Sequence, residues 1–509
     1  MPEPITKKSN RLTIAFSLYD EVSLCAAKLQ KMLRKKPFNR FFRRNMVSFV
    51  KIFINDSAMI KRFSMIMLSL FIVQMLAAQS IADRFNLLFN DDLLNESDVS
   101  VVVYDLSVDS LLYAYREHKR CRPASVAKIT TVTAALGKLG RNYTMRTKLL
   151  SDKGNLYVQG CMDPLFVEED IDKMVQAVPN GTVVDTLFAD CSFCDSLYWG
   201  PGWAWDDNPY GFQPYISPLL LCGGAIEVVV TPAAKGASPS YSCTPRSSFY
   251  RIVNEAECGN VQLGKLTVLR DWLENSNIVR IRGNCTKVTK ERINMYKSAD
   301  FFIAVLTERL QASGVKVKNI AFGTVPDNAV CLHSTNRAVE DVIDEALMES
   351  DNVCAEALLY HLATTTGKVS SISMKDGCSV VESFLKDSVH CDIGYSIFDG
   401  SGLSPYNYIS ADVLSKVLRY VYNSEMWDVV YAHLPLAGVS GTMKHRTKGT
   451  SAYRKIRAKT GTVTGVCTLA GYATASNGHI LAFVVMNQNI QSANDARKWQ
   501  DRVCNLLCQ

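Results

Sequence analysis

Histidine is scarce in this chain: seven occur among 509 residues, and they form no cluster. Cys191-Ser192-Phe193-Cys194 has the spacing of a zinc or redox pair, yet no second pair accompanies it. No metal site is therefore expected, and the two cysteines read as a local disulfide or as two small buried residues. No repeat of fixed period is visible across residues 145–325, and the apolar run Phe63 to Ala78 falls short of the roughly 20 residues of a membrane span. An excess of basic charge is also missing once the N-terminal segment is set aside. The formal net charge is +7, but residues 1–58 hold twelve Lys/Arg against four Asp/Glu and Lys61 and Arg62 add two positives, which leaves −3 for the remainder. No nucleic-acid partner is expected from such a distribution.

What is present suits a large exported protein. With 48% hydrophobic residues the chain can bury a substantial core, and its length suggests two to four domains. Lys61-Arg62, the apolar run broken only by Ser64, Ser69 and Gln74, and the small-residue exit Ala77, Ala78 and Ser80 match a secretory signal peptide. Met59 would begin an ordinary one. Residues 59–80 are therefore the expected signal peptide, and residues 1–58 a basic leader not expected to be made. The expected location is the periplasm or the outer face of the cytoplasmic membrane. Of sixteen cysteines Cys25 lies in the leader, and the odd fifteen that remain require at least one free thiol or an intermolecular bond.

The chemistry starts at Arg122-Pro123-Ala124-Ser125-Val126-Ala127-Lys128, ahead of the largely apolar run Ile129 to Leu136. Pro123 and Ser125 read as a helix start with serine as the cap. Ser125 and Lys128 then share a helix face, so the amine reaches the hydroxyl and can activate it as a nucleophile. About two Ser-x-x-Lys matches are expected by chance in a chain this long. Downstream stand Ser350-Asp351-Asn352 and Lys459-Thr460-Gly461, each expected on the order of 0.1 times by chance. The three in this order form the signature of penicillin-binding proteins and class A β-lactamases.

Around these motifs the pattern is mixed. Arg84 to Leu94 reads as a short helix, and Val101–Tyr104 with Leu111–Tyr115 as a hairpin leading into the Ser125 helix. Residues 145–325 alternate short apolar runs with Gly/Pro/Asn/Asp breakers, which suggests one or two β-rich insertions. Helical periodicity returns from Ala338 to Ala363, with Ser350-Asp351-Asn352 at a join between two halves. Strands are expected around Lys455–Thr464, Cys467–Thr474 and Ile480–Met486, followed by a helix from Asn494 to Leu507. Lys459-Thr460-Gly461-Thr462 thus lies on a strand near a sheet edge, with Gly461 where something approaches the backbone closely.

Acyl transfer needs a nucleophile, a base, a proton path to the leaving group and donors for the oxyanion. Ser125 attacks, and Lys128 takes its proton if burial and neighbouring Lys459 lower its pKa. Ser350 relays a proton to the leaving nitrogen, and Asn352 offers a donor and an acceptor to a peptide-like substrate. The N–H groups of Ser125 and Thr462 make an expected oxyanion hole. Lys459 with the hydroxyls of Thr460 and Thr462 makes an expected seat for a terminal carboxylate.

The chain resembles the class C penicillin-binding proteins, the D-alanyl-D-alanine carboxypeptidase/endopeptidase family. Besides the three motifs, the likeness rests on Gly160-Cys161-Met162-Asp163-Pro164, Pro201-Gly202-Trp203-Ala204-Trp205-Asp206-Asp207, Val229-Val230-Thr231-Pro232, Asp399-Gly400-Ser401-Gly402-Leu403-Ser404 and Leu434-Pro435-Leu436-Ala437-Gly438. It extends over about residues 85–505. The resemblance implies an α+β fold: a split transpeptidase/β-lactamase-like domain, 82–147 and 326–509, with an antiparallel sheet flanked by helices. Two nested β-rich domains are implied in the gap, one of 148–188 with 262–325 and one of 189–261. It also implies peptidoglycan stem peptides as substrates, β-lactams as covalent inhibitors and no cofactor. In related proteins the segment matching Asp206, Asp207 and Phe212 reaches over the active site and offers an acidic residue to a diaminopimelate amine. One departure is Pro405, which stands in Gly402-Leu403-Ser404-Pro405 where the family often has arginine, and which puts side-chain recognition in question.

Two rival readings stay open on sequence alone. An esterase or β-lactamase would need a water-activating residue, and no class A style Glu motif is evident after Ser350. A catalytically weak β-lactam-binding or wall-sensing protein would not need its complete set of motifs.

Overall fold

The computed structural model describes residues 81–213 and 215–509. The expected leader and signal peptide, residues 1–80, lie outside the described residues. The expected N-terminal helix is Ile81–Leu88, followed by a separate 3-10 turn, Asp92–Leu94, which Asp91 caps by accepting from Leu93 N. Strands β1 (Asp98–Asp105) and β2 (Ser110–Tyr115) then form the hairpin. Most of β1 is buried on both faces, the mark of a strand inside a sheet. The chain passes through Pro123 and one 3-10 turn, Ala124–Val126, into helix α1 (Ala127–Leu139). Every residue of α1 from Ala127 to Leu136 is buried, including Lys128. This helix is the middle of the core rather than an amphipathic cover.

The insertion follows. Its largest sheet has the order Lys316–Phe322, Val183–Asp190, Asn155–Gln159, Thr144–Asp152, Val330–Ala338. The last two strands pair antiparallel, so the chain enters and leaves the insertion through neighbours. Two three-stranded sheets complete it: Thr267–Arg270, Ile278–Arg282, Arg251–Asn254, and Thr289–Asn294, Ala225–Thr231, Ser240–Thr244. Strands on both sides of residue 261 share these small sheets, because the pairing partners of 225–254 come from 267–294. All three sheets bury side chains in one common core with helix Ser298–Ala312. Cys191 and Cys194 are free thiols, and among the described cysteines only Cys331 is exposed.

The returning chain supplies the rest of the first domain. Helices α2 (Val339–Met348) and α3 (Asn352–Ala363) are the two halves expected around Ser350, and all of α3 is buried. Helix α4 (Ala411–Tyr422) follows, then strands β3 (Ile456–Val463), β4 (Val466–Thr474) and β5 (Ile480–Gln488), and helix α5 (Ala493–Leu507). The sheet is antiparallel with order β3-β4-β5-β1-β2. Tyr472 and Val484 share the core with α1, α3 and α4, while Cys467 on the opposite face packs with Ala496 of α5. The fold is thus α+β, a five-stranded antiparallel sheet with helices on both faces, split by a β-rich insertion between its second and third strands.

Candidate active site

Ser125 does not cap the helix as its position in the sequence suggests. It sits inside the 3-10 turn, and α1 begins behind it with no side-chain cap. The turn is forced by Ala124, whose φ of +48° lies in the left-handed region, and Ser350 has a φ of +66°. Each such conformation in a non-glycine residue costs on the order of 1 kcal/mol or more. The hydroxyl that would have capped the helix instead accepts from Lys128 Nζ at 2.9 Å.

Lys128 has three acceptors around its amine: Ser125 Oγ at 2.9 Å, Asn352 Oδ1 at 2.6 Å and the carbonyl of Ser401 at 2.9 Å. Burial brings its pKa down to about 8, against the opposing pull of Glu356, Asp351 and Asp399. Lys459 is buried as well, donating to Ser350 Oγ at 2.7 Å and to the Thr460 carbonyl at 2.9 Å. Burial, reinforced by the neighbouring Lys128, pushes its pKa well down. Two amines desolvated side by side cannot both hold a proton easily, which suits them to passing protons rather than keeping them.

Strand β3 runs directly alongside the nucleophile. A Cβ on Gly461 would collide with Thr468 Oγ1 and come within 2.9 Å of Ser125 N, so only glycine lets the strand lie there. Thr468 Oγ1 in turn donates to the Pro123 carbonyl at 2.7 Å and pins the nucleophile turn to the sheet. The register sorts the motif by face. Lys459 and Gly461 pair with Ala470 and Thr468, on the nucleophile side; Thr460 and Thr462 pair with Leu469 and Cys467, on the side of α5. Thr460 Oγ1 donates to Thr442 Oγ1 at 2.8 Å, and Thr462 is exposed. The expected grouping of Lys459 with the two hydroxyls does not form, since strand alternation turns the amine inward.

Below this layer lie residues that the motifs do not reveal. Glu356, one turn after Asn352 on α3, is fully buried and accepts from the N–H groups of Gly400 and Ser401 at 3.0 and 2.9 Å. Burial and neighbouring Asp399 push its pKa up, against the hydrogen bonds from Ser401 and Gly400. Asp399 accepts from Gly402 N, Ser404 N, Asn407 Nδ2 and Trp203 Nε1 at 2.6 to 2.9 Å. Together these two carboxylates shape the Asp399–Ser404 loop that presents the Ser401 carbonyl to Lys128. The sequence signals Asp399 through the Asp399-Gly400-Ser401-Gly402 stretch and gives no signal for Glu356.

The insertion reaches the site through the loop that carries Trp203 to Phe212 and through Arg292 of strand Thr289–Asn294, whose Nη1 lies 3.9 Å from Asp351 Oδ2. Trp203 is buried against Asp399, and Trp205, mostly exposed, stands 4.7 Å from the ring of Trp272. Asp206 is exposed, whereas Asp207 is half-buried, with a carboxyl pushed up by burial and by Asp206. Phe212 touches the site with its backbone: its carbonyl accepts from Asn352 Nδ2 at 2.7 Å while its exposed ring stacks on Tyr210. Pro405 is half-buried beside the exposed ring of Tyr406.

A serine held by one buried amine, a second amine on a second serine, and an edge strand beside both define a serine acyl-transfer enzyme of the penicillin-recognising type. Residues 82–509 match the family described as D-Ala-D-Ala carboxypeptidase 3 (S13), and the chain belongs to that family. A D-alanyl-D-alanine carboxypeptidase of an Actinomadura species is 28% identical over 431 residues, 79% of each chain. The D-alanyl-D-alanine carboxypeptidase DacB of Haemophilus influenzae is 24% identical over 412 residues, 76% of this chain and 85% of its own. The crystal structure of penicillin binding protein 4 from the same organism shares the fold, with a TM-score of 0.72 at 20% identity over 84% of this chain and 99% of its own.

Proposed function

We propose that the protein removes the terminal D-alanine from peptidoglycan stem peptides and cleaves D-alanyl cross-links, through an acyl-enzyme on Ser125. The observation that carries this reading is the 2.9 Å contact between Ser125 Oγ and a fully buried Lys128 amine. Neutral Lys128 takes the hydroxyl proton as Oγ attacks the carbonyl carbon of the penultimate D-alanine. Negative charge gathers on the carbonyl oxygen, which the N–H groups of Ser125 and Thr462 receive on the edge of β3. The C–N bond breaks as Ser350 Oγ gives its proton to the leaving nitrogen and is resupplied through Lys459 with the proton that Lys128 took from Ser125, which leaves Lys128 neutral again. Water then attacks the ester carbon as neutral Lys128 takes its proton, and Lys128 returns that proton to Ser125 Oγ as the acyl C–O bond breaks.

A β-lactam follows the same first step, but its leaving nitrogen stays tethered. That is the reason to expect covalent inhibition. The Dictyostelium discoideum relative described as a penicillin-sensitive carboxypeptidase A, 24% identical over 402 residues, supports this part of the reading. On the insertion side, Asp206, Asp207 and Phe212 are the contacts for the stem-peptide side chain in this reading, which the 2.7 Å bond from Asn352 Nδ2 to the Phe212 carbonyl supports. Export to the periplasm or the outer membrane face rests on the charged, apolar and small-residue succession of residues 59–80.

The test incubates the purified protein with a fluorescent penicillin and, separately, with a stem pentapeptide, beside Ser125→Ala. Labelling and D-alanine release should both occur and both vanish in the variant. Labelling without release would leave a β-lactam-binding protein and reject the peptidase.

A further inference from the structure

We infer that Arg497, on the C-terminal helix, is the charged anchor for the substrate's terminal carboxylate, a role that Lys459 cannot fill from where it lies. The inference rests on the acyl-transfer reading above and adds a specificity residue to it. A substrate lying along the edge of β3 presents its chain end to the hydroxyls of Thr460 and Thr462, which the register turns toward α5. Lys459 is on the other face, with no exposed surface and with its amine committed to Ser350 Oγ and the Thr460 carbonyl. An amine so desolvated beside Lys128 gives up its proton readily and is a poor source of fixed positive charge.

Arg497 has what Lys459 lacks. It lies in the second turn of α5 and is exposed, and its Nη2 donates to Thr462 Oγ1 at 3.3 Å. Among the described residues no carboxylate pairs with it. Its neighbours account for themselves: Arg446 is bound to Asp501 at 2.7 Å, and Lys498 to Asp495 at 3.0 Å. Arg446 also donates to the Arg497 carbonyl at 3.1 Å, which fixes the backbone from which the guanidinium projects. A guanidinium is charged at every working pH and offers paired donors that match a carboxylate. Two hydroxyls and an unpaired guanidinium on one side of an edge strand therefore make an anion seat, and a terminal carboxylate is the anion this substrate class brings.

The experiment compares wild-type protein, Arg497→Ala and Arg497→Lys on two pairs of probes. One pair is a stem pentapeptide with a free carboxylate and its C-terminal carboxamide; the other is benzylpenicillin and its methyl ester, with Ser125 acylation followed by mass spectrometry. Arg497→Ala should lower kcat/KM and the acylation rate for the acids by about 10- to 100-fold and for the neutral analogues by less than about twofold. Arg497→Lys should recover only part of the loss, since it restores the charge without the paired donors. Equal loss on acid and neutral probes, or no loss on either, would overturn the assignment. The two readings separate in the penicillin pair: if the wild type cleaves no peptide but acylates, the peptidase assignment fails while the carboxylate seat is still measured. Arg497 is exposed, so the variants should keep the wild-type melting temperature.

Discussion

The side-chain amide of Asn352 donates to the backbone carbonyl of Phe212 at 2.7 Å, while its oxygen accepts from the buried amine of Lys128, the proposed base, at 2.6 Å. One amide thereby couples an insertion loop to the base. Asn352→Asp removes the first contact and strengthens the second, since a carboxylate cannot donate to Phe212 but accepts from Lys128 with a full negative charge. Acylation by benzylpenicillin at pH 7 should fall by about 10²-fold, because the charge holds the Lys128 proton. Hydrogen exchange in residues 205–213 should rise in the same variant. Unchanged exchange would mean that the loop is held elsewhere.

Lys128 works as a base only after losing its proton. With its pKa brought down to about 8, the acylation rate should climb as pH rises from 6 and level off above about 8. Replacing it by alanine should slow acylation by about 10²-fold or more and flatten that rise. A rate independent of pH between 6 and 9 would remove Lys128 from the role.

Gly461→Ala should leave the fold standing but displace β3 from the nucleophile. The added methyl would collide with Thr468 Oγ1 and lie 2.9 Å from Ser125 N and 3.0 Å from the Pro123 carbonyl, so the strand and the nucleophile turn must move apart. A loss in kcat/KM of about 10²-fold is expected, with a much smaller change in melting temperature. The comparison requires only acylation kinetics and calorimetry on the same sample.

The two aspartates of the insertion loop should separate. Asp207 is half-buried and Asp206 exposed. Only the former gains from being partly desolvated when it meets an ammonium group. Asp207→Asn should lower kcat/KM by about tenfold for stem peptides with a free side-chain amine, and Asp206→Asn by about twofold or less. N-acetylated peptides, which lack the charge, should respond to neither.

Acid should unfold the protein through His361. This ring lies buried on α3, where its Nε2–H donates to the Cys161 carbonyl at 2.7 Å and its Nδ1 accepts from Tyr143 Oη at 2.9 Å. Burial lowers its pKa to about 4. Between that value and about 6.5 the unfolded chain binds the proton and the folded one does not, so stability falls as pH drops through this window. The loss should approach about 3 kcal/mol by pH 4 and level off below it, as far as this group is concerned. His361→Gln should be less stable at pH 7 and lose less on acidification, which denaturant titrations at pH 4 and 7 would reveal.

Much of the framework was legible because periodicity carries it. The β1–β2 hairpin, the two helices meeting at Ser350 and the three C-terminal strands all alternate or repeat as their burial demands. The hidden parts defeat that logic for a physical reason. Nothing in periodicity marks Glu356, because α3 is buried on every side and a charged residue there looks like any exposed one. Lys128 and Lys459 are fully buried, against the usual fate of lysine, and only their companion motifs betray them. Ser125 forgoes its cap because its hydroxyl meets an amine instead. Arg497 reads as one more cation on a helix surface; its place beside Thr462 depends on how α5 crosses the sheet, which no local pattern encodes.

The split sheet also imposes an order in time. Asp105 pairs with Leu481, 376 positions later, so β1, joined early to β2, waits for almost the whole chain before its second partner exists. Synthesis at about 5–20 residues per second puts that delay on the order of tens of seconds. Every strand of the insertion lies between Thr144 and Ala338 and can pair well before then. Ser125 meets Lys459 and Gly461 only once β3 is made and docked, so nucleophilic competence is the last property the polypeptide acquires. A chain that ends before β3 therefore lacks the second amine and the edge strand on which the proposed acylation depends.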